Sequence, residues 1–168
     1  VENLRASKID LSSKHIISIL AATPISTLKE KLKAQRVSRV MPNTPSLIGK
    51  GMSLVLHSDE VVDSEKDLVQ RFFTACGEVS EMPNETLFDQ VTTVSGSGPA
   101  YVYLFAQTMA EKLISWGLEE DEAKKIAIQL FCGSSELMSH QKDESFSDLI
   151  SKVTSKGGVT IEAVKSYQ

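Results

Sequence analysis

The chain has 168 residues, 41% of them hydrophobic and 24% charged, which suffices for one ordinary globular domain or two small ones sharing an interface and excludes a disordered segment. Its net charge of -4 and pI near 5.4 give no basic footprint for nucleic acid, and no local block of Lys and Arg creates one. The early apolar run Ile16 to Ala22 is far shorter than the roughly 20 residues of a bilayer-spanning helix, and no signal-peptide pattern precedes it.

Cys76 and Cys132 have neither metal-type nor redox-type spacing, so a reduced cytoplasmic setting is expected, with both cysteines as small buried hydrophobes. The sequence opens on Val1 and runs into a mostly polar stretch, VENLRASKIDLSSK, which reads as a chain without its beginning.

Ile16 to Leu20 is β-branched and apolar, and Arg36 to Met41 (RVSRVM) alternates as a strand with one covered face does. Between them Thr23-Pro24 gives a capping residue and a first-turn proline, followed by Ile25, Leu28 and Leu32 at helical spacing. Strand, helix and strand with short links is the unit of a parallel α/β sheet. Met52 to Leu56 reads as a further strand, Ser64 to Cys76 as a helix with Leu68, Phe72 and Phe73 inward, and Gly77 to Met82 as a short closing strand.

After Pro83 the pattern changes. Helices are expected over 84–94, 97–116, 119–141 and 145–153, with no convincing strand between them, so the fold class is α/β followed by all-α, with residues 1–82 and 83–168 as the two domains. The helix from Ser97 is apolar nearly all round in its first half and must be buried, and the small helical region makes a second copy of the chain the natural cover.

Three segments carry possible chemistry. Met41 to Pro45 (MPNTP) follows a strand whose carboxyl end is where ligands collect in such sheets, so Asn43 and Thr44 are placed to hydrogen-bond a cofactor or substrate; the alternative is a loop stiffened by two prolines with Asn43 as a turn residue. Ser95 to Pro99 (SGSGP) reads as an anion-holding helix start or as a plain N-cap from Ser95 or Ser97. Thr154 to Thr160 (TSKGGVT) repeats that logic: amides after Gly157, with Ser155 and Thr160 donating, would cradle a carboxylate without an arginine, or the segment is a flexible turn. His15, His57 and His140 are isolated, no metal-ligand spacing exists, and there is no nucleophile elbow, P-loop or complete G-x-G-x-x-G.

In their order and spacing, RVMPNTPSLIGKGMS, VSGSGPAYVYLFAQTMAEKLISWGL and TSKGGVTIEAV closely resemble pyrroline-5-carboxylate reductase, from about Ile16 to the end. The resemblance implies reduction of the cyclic imine 1-pyrroline-5-carboxylate to L-proline with NADPH or NADH, the last step of proline biosynthesis. It also implies a Rossmann-like domain, here the remnant of a parallel sheet, joined to a helical domain that interlocks with a partner subunit. By resemblance, Ser155, Gly158, Val159 and Thr160 hold the substrate carboxylate with Thr160 near the imine nitrogen, and Ala21, Ala22, Pro24 and Asn43 line the nicotinamide end of the cofactor site.

The departures from the family pattern are Lys156 where its loop has proline, Val159 where it has threonine, and Ala22 where it often has glycine. By the same resemblance the first strand and glycine-rich phosphate loop belong before Val1, so the chain as it stands is expected to be incomplete for catalysis. The runner-up reading is a non-catalytic dimerisation module of the same fold. A third is a related dehydrogenase acting on another small acid.

Overall fold

The computed structural model describes residues 2–3, 9–155 and 158–167. Strand β1 (His15–Ser18) ends before the expected Leu20, because the chain leaves the sheet at Ile19 for a turn through Ala21 and Ala22. Helix α1 (Ile25–Leu32) follows, burying Leu28 and Leu32 in a cluster with Ala34 and Val37. Its start differs from the sequence expectation. Pro24 is the N-cap and makes no side-chain cap bond, while Thr23 Oγ1 turns back to donate to the Ala21 carbonyl at 3.0 Å.

Strand β2 (Arg36–Met41) pairs parallel to β1, with Ile17 opposite Ser38. Strand β3 (Gly51–His57) runs antiparallel to β2, and β4 (Gly77–Glu81) parallel to β3, in the spatial order β1-β2-β3-β4. The sheet is thus mixed where sequence alone predicts a parallel one. The β2–β3 link, residues 42–50, holds only a 3-10 turn (Thr44–Ile48), and a parallel crossover needs a dozen or more residues.

Alternation along the strands sends side chains to two faces. On one face Leu54 and Leu56 of β3 pack with Phe88 of helix α3 (Glu85–Ser95). On the other, Val40 and Val55 pack with Val69 and Phe73 of helix α2 (Asp63–Thr74). In α2 the inward pair is therefore Val69 and Phe73, four apart on one stripe; Leu68 and Phe72, expected inward, are 51% and 65% exposed.

The chain divides into two compact units, Val1–Tyr103 and Leu104–Gln168, with the division inside helix α4 (Gly98–Ser115). The second unit contains α5 (Glu120–His140), α6 (Phe146–Lys152) and α7 (Val159–Tyr167), and no strand among its described residues. Ser145 caps α6 by accepting from the Asp148 amide at 3.1 Å. No residue of α4 is buried within the single chain, and Tyr101, Val102, Tyr103, Leu104 and Phe105 are all exposed. The apolar helix that ought to be covered is uncovered here. Among the described residues no helix is long and apolar enough to cross a membrane, and no group of three or more His, Cys, Asp or Glu is arranged to hold a metal ion.

Candidate active site

The parallel pairing of β1 and β2 brings their carboxyl ends to one edge, so the Ala21–Pro24 turn and the MPNTP loop leave the sheet side by side. That edge is where open α/β sheets bind ligands. Ala21 and Ala22 are exposed there and Pro24 is half-buried. Ala22 has φ 50°, a left-handed conformation that glycine adopts without cost, which is the physical counterpart of the glycine usual at this position in the family the sequence resembles. Small side chains on this edge let a ligand approach the backbone closely. The sequence offers no G-x-G-x-x-G for the pyrophosphate of a dinucleotide.

The turn is tied down by a group that the sequence reading did not single out. Glu85 Oε1 accepts from the Ile25 amide at 2.9 Å, placing a carboxylate on the first turn of α1, where the helix dipole favours an anion. The same oxygen accepts from Arg39 Nη1 at 2.6 Å. Arg39 is 1% exposed, donates through Nη2 to Asp89 Oδ1 at 3.0 Å and lies 4.5 Å from the centre of the Phe88 ring. Arg39 shares its strand face with Val37 and Met41, and Glu85 and Asp89 are four apart on α3. An arginine at an inward strand position and a matching i, i+4 acidic pair were the signals available in the sequence.

Asn43 is bonded at both ends of its side chain. Its Oδ1 accepts from the Met52 amide at 2.9 Å, and its Nδ2 donates to the Ser95 carbonyl at 3.0 Å, so the side-chain amide locks the MPNTP loop to β3 and to the end of α3. Ser95 does not cap α4; its hydroxyl donates back to the Val91 carbonyl at 3.2 Å. At Gly96 an added Cβ would come to 2.9 Å from the Thr92 carbonyl, so the small residue lets the chain turn tightly against the end of α3.

In the second unit Ser155, Gly158 and Thr160 gather at the start of α7. The Gly158 amide donates to the Ser155 carbonyl at 2.9 Å, closing the turn, and a Cβ on Gly158 would meet Ser155 Oγ at 2.4 Å. Thr160 is the second residue of α7 and is exposed, as is Ser155. Val159 opens the helix; its side chain, Lys156 and Gly157 lie outside the described residues. The Gly158 amide is taken, which leaves the first-turn amides of α7 as the candidate donors at this end. Amides at a helix start with two neighbouring hydroxyls suit a carboxylate.

Two of the three histidines, His15 and His57, are not isolated as the sequence suggested. Ser38 Oγ lies 2.7 Å from His15 Nε2 and 2.6 Å from His57 Nδ1, joining three strands on the α2 face of the sheet. Residues 23 and 19 positions apart meet only because the strands pair, which no local pattern reveals. Neither cysteine is buried: Cys76 is half-buried and Cys132 lies exposed on α5.

The profile of the pyrroline-5-carboxylate reductase dimerisation family matches residues 85–168, half of the chain. The chain belongs to the pyrroline-5-carboxylate reductase family. Curated reductases are similar across nearly all of it. The one from Pasteurella multocida is 33% identical over 95% of this chain, and the one from Synechocystis is 38% identical over 89%. The chain spans 58% and 55% of the lengths of those two reductases.

Solved structures agree. The Plasmodium falciparum pyrroline carboxylate reductase with NADP bound superposes with a TM-score of 0.85 at 34% identity, over 97% of this chain and 65% of that one. The reductase from Coxiella burnetii gives 0.85 at 28% identity, over 99% and 61%. The four-stranded sheet followed by helices is accordingly the reductase fold, a Rossmann-like part followed by a helical dimerisation part.

Proposed function

We propose that this protein is an oxidoreductase that converts 1-pyrroline-5-carboxylate to L-proline with NADPH or NADH, the last step of proline biosynthesis, as a homodimer or higher homo-oligomer in the cytoplasm. What carries the reading is that residues 85–168, which contain the Ser155–Thr160 turn, match the dimerisation family of that reductase. Residues 1–82 are then the nucleotide-binding part and residues 83–168 the dimerisation and substrate-binding part. The NADP held by the Plasmodium falciparum relative supports the choice of cofactor.

In this reading Ala21, Ala22 and Pro24 form the wall at the nicotinamide end, and Asn43 shapes that wall by fixing the MPNTP loop. The cofactor, when bound, supplies a hydride to the imine carbon. Ser155 Oγ and the amides after Gly158 hold the substrate carboxylate, while the Thr160 hydroxyl donates to the ring nitrogen and orients it. The reduction takes one hydride from the cofactor and one proton from solvent, so the Thr160 hydroxyl orients the nitrogen and is not consumed as an acid.

Imine-dependent oxidation of NADPH or NADH by a purified protein that joins this chain to a glycine-rich nucleotide-binding segment tests the reading. Oxidation that requires 1-pyrroline-5-carboxylate is expected. One observation favours a second reading, a dimerisation module without catalysis: the family match, residues 85–168, is to the dimerisation part alone. Assembly without cofactor oxidation would support that module and defeat the first reading.

A further inference from the structure

We propose that Arg39 and Glu85 are a positioning pair that holds the Ala21–Pro24 turn in its cofactor-binding shape; this rests on the reading of that turn as the nicotinamide wall. The chain of contacts is short and specific. Arg39 lies opposite Ser18 in the sheet register, at the root of the β1 turn, and precedes the MPNTP loop on its own strand. Its buried guanidinium fixes Glu85 at 2.6 Å, and the same carboxylate oxygen fixes the first amide of α1 at 2.9 Å.

Pro24, the N-cap, has no side-chain cap bond, so the carboxylate from α3 supplies the restraint a local residue normally gives. Between that restraint and the strand end lies Ala22 at φ 50°. A left-handed alanine persists only where its surroundings hold it. Asp89 separates the two roles of the network, since it pairs with Arg39 at 3.0 Å without reaching the turn.

The test sets Glu85→Ala, Glu85→Gln and Asp89→Ala in the whole chain joined to a glycine-rich nucleotide-binding segment, reading amide exchange at Ile25 by NMR and the Kd for NADPH and NADH by fluorescence titration. Glu85→Ala is expected to speed exchange at Ile25 and to raise the Kd, each by about tenfold, the effect of one lost charge-assisted hydrogen bond. Glu85→Gln keeps a carbonyl acceptor for the amide and is expected to restore most of both. Asp89→Ala should weaken the hold on Arg39 yet leave both readings near those of the unaltered chain.

Equal losses in Glu85→Ala and Asp89→Ala, or no change at Ile25 in Glu85→Ala, would overturn the proposal. If the joined but otherwise unaltered chain binds neither NADPH nor NADH, the functional reading fails on its own. The contrast at Ile25 between the two variants still decides whether Glu85 sets the turn.

Discussion

Asn43 reaches Ser95 across 52 residues of sequence, its Nδ2 donating to the Ser95 carbonyl at 3.0 Å while its Oδ1 holds the Met52 amide at 2.9 Å. One side chain thereby fastens a loop, a strand and a helix end. Asn43→Ala leaves two part-buried backbone groups without partners, which costs about 1–3 kcal/mol. A lower urea midpoint with an unchanged slope is expected. Asn43→Asp keeps the acceptor for Met52 but sets an anion against the Ser95 carbonyl, and its midpoint should fall at least as far. An unchanged midpoint in Asn43→Ala would refute the locking role.

Ala22 offers a gain instead of a loss. Its left-handed φ of 50° costs roughly 1–2 kcal/mol relative to glycine, while glycine gives the unfolded chain about 0.4–1 kcal/mol of extra entropy. Relief exceeds the penalty, so Ala22→Gly should raise stability by up to about 1 kcal/mol in urea unfolding. A clear drop would mean that the methyl group makes a contact worth more than the strain.

The His15–Ser38–His57 chain sets a pH dependence. Burial lowers the pKa of both histidines below the ordinary 6.5; Glu65 opposes this at His15 and Arg36 adds to it, while at His57 Glu81 opposes it and Lys66 and His15 add to it. The fully buried Ser38 hydroxyl has one hydrogen and two lone pairs, so at most one imidazole accepts from it and the other donates to it. With both rings protonated, that hydrogen has no acceptor between them.

The unfolded chain therefore takes up protons first as pH falls. The stabilising contribution is fully present above 6.5 and is lost as pH drops from 6.5 towards the depressed folded values. Urea midpoints measured from about pH 8 to about pH 5.5 should fall, and His57→Gln should flatten the fall. A midpoint that rises towards acid would contradict this.

Elements with a clear local period were legible in the sequence, as α1 and α5 illustrate. What escaped depended on partners far along the chain. Arg39 looked like one more strand residue because its ligands, Glu85 and Asp89, lie 46 and 50 residues on. Thr23 looked like a cap because the sequence cannot display a carboxylate arriving from 60 residues away. The antiparallel turn of β3 was missed, although its link is too short for a parallel crossover. The candidate site was proposed from its motifs, whereas the double bonding of Asn43 and the Ser155–Gly158 hydrogen bond required coordinates.

Helix α4 predicts assembly. With Tyr103 and Leu104 each 62% exposed and Phe105 50% exposed, a monomer presents a contiguous apolar surface to water. Light scattering should give at least a dimer, and Phe105→Glu should shift the mass towards the monomer. A monomeric unaltered chain would contradict the expectation.

The most direct measurement is oxidation of NADPH and NADH with and without 1-pyrroline-5-carboxylate, run on the chain joined to a glycine-rich nucleotide-binding segment, unaltered and with Thr160→Ala. The account predicts oxidation only when the imine is present, and a loss of about 10–100-fold in kcat/KM for Thr160→Ala at unchanged stability, as removal of one orienting hydrogen bond implies. No imine-dependent oxidation at any protein concentration, or full turnover in Thr160→Ala, would contradict it.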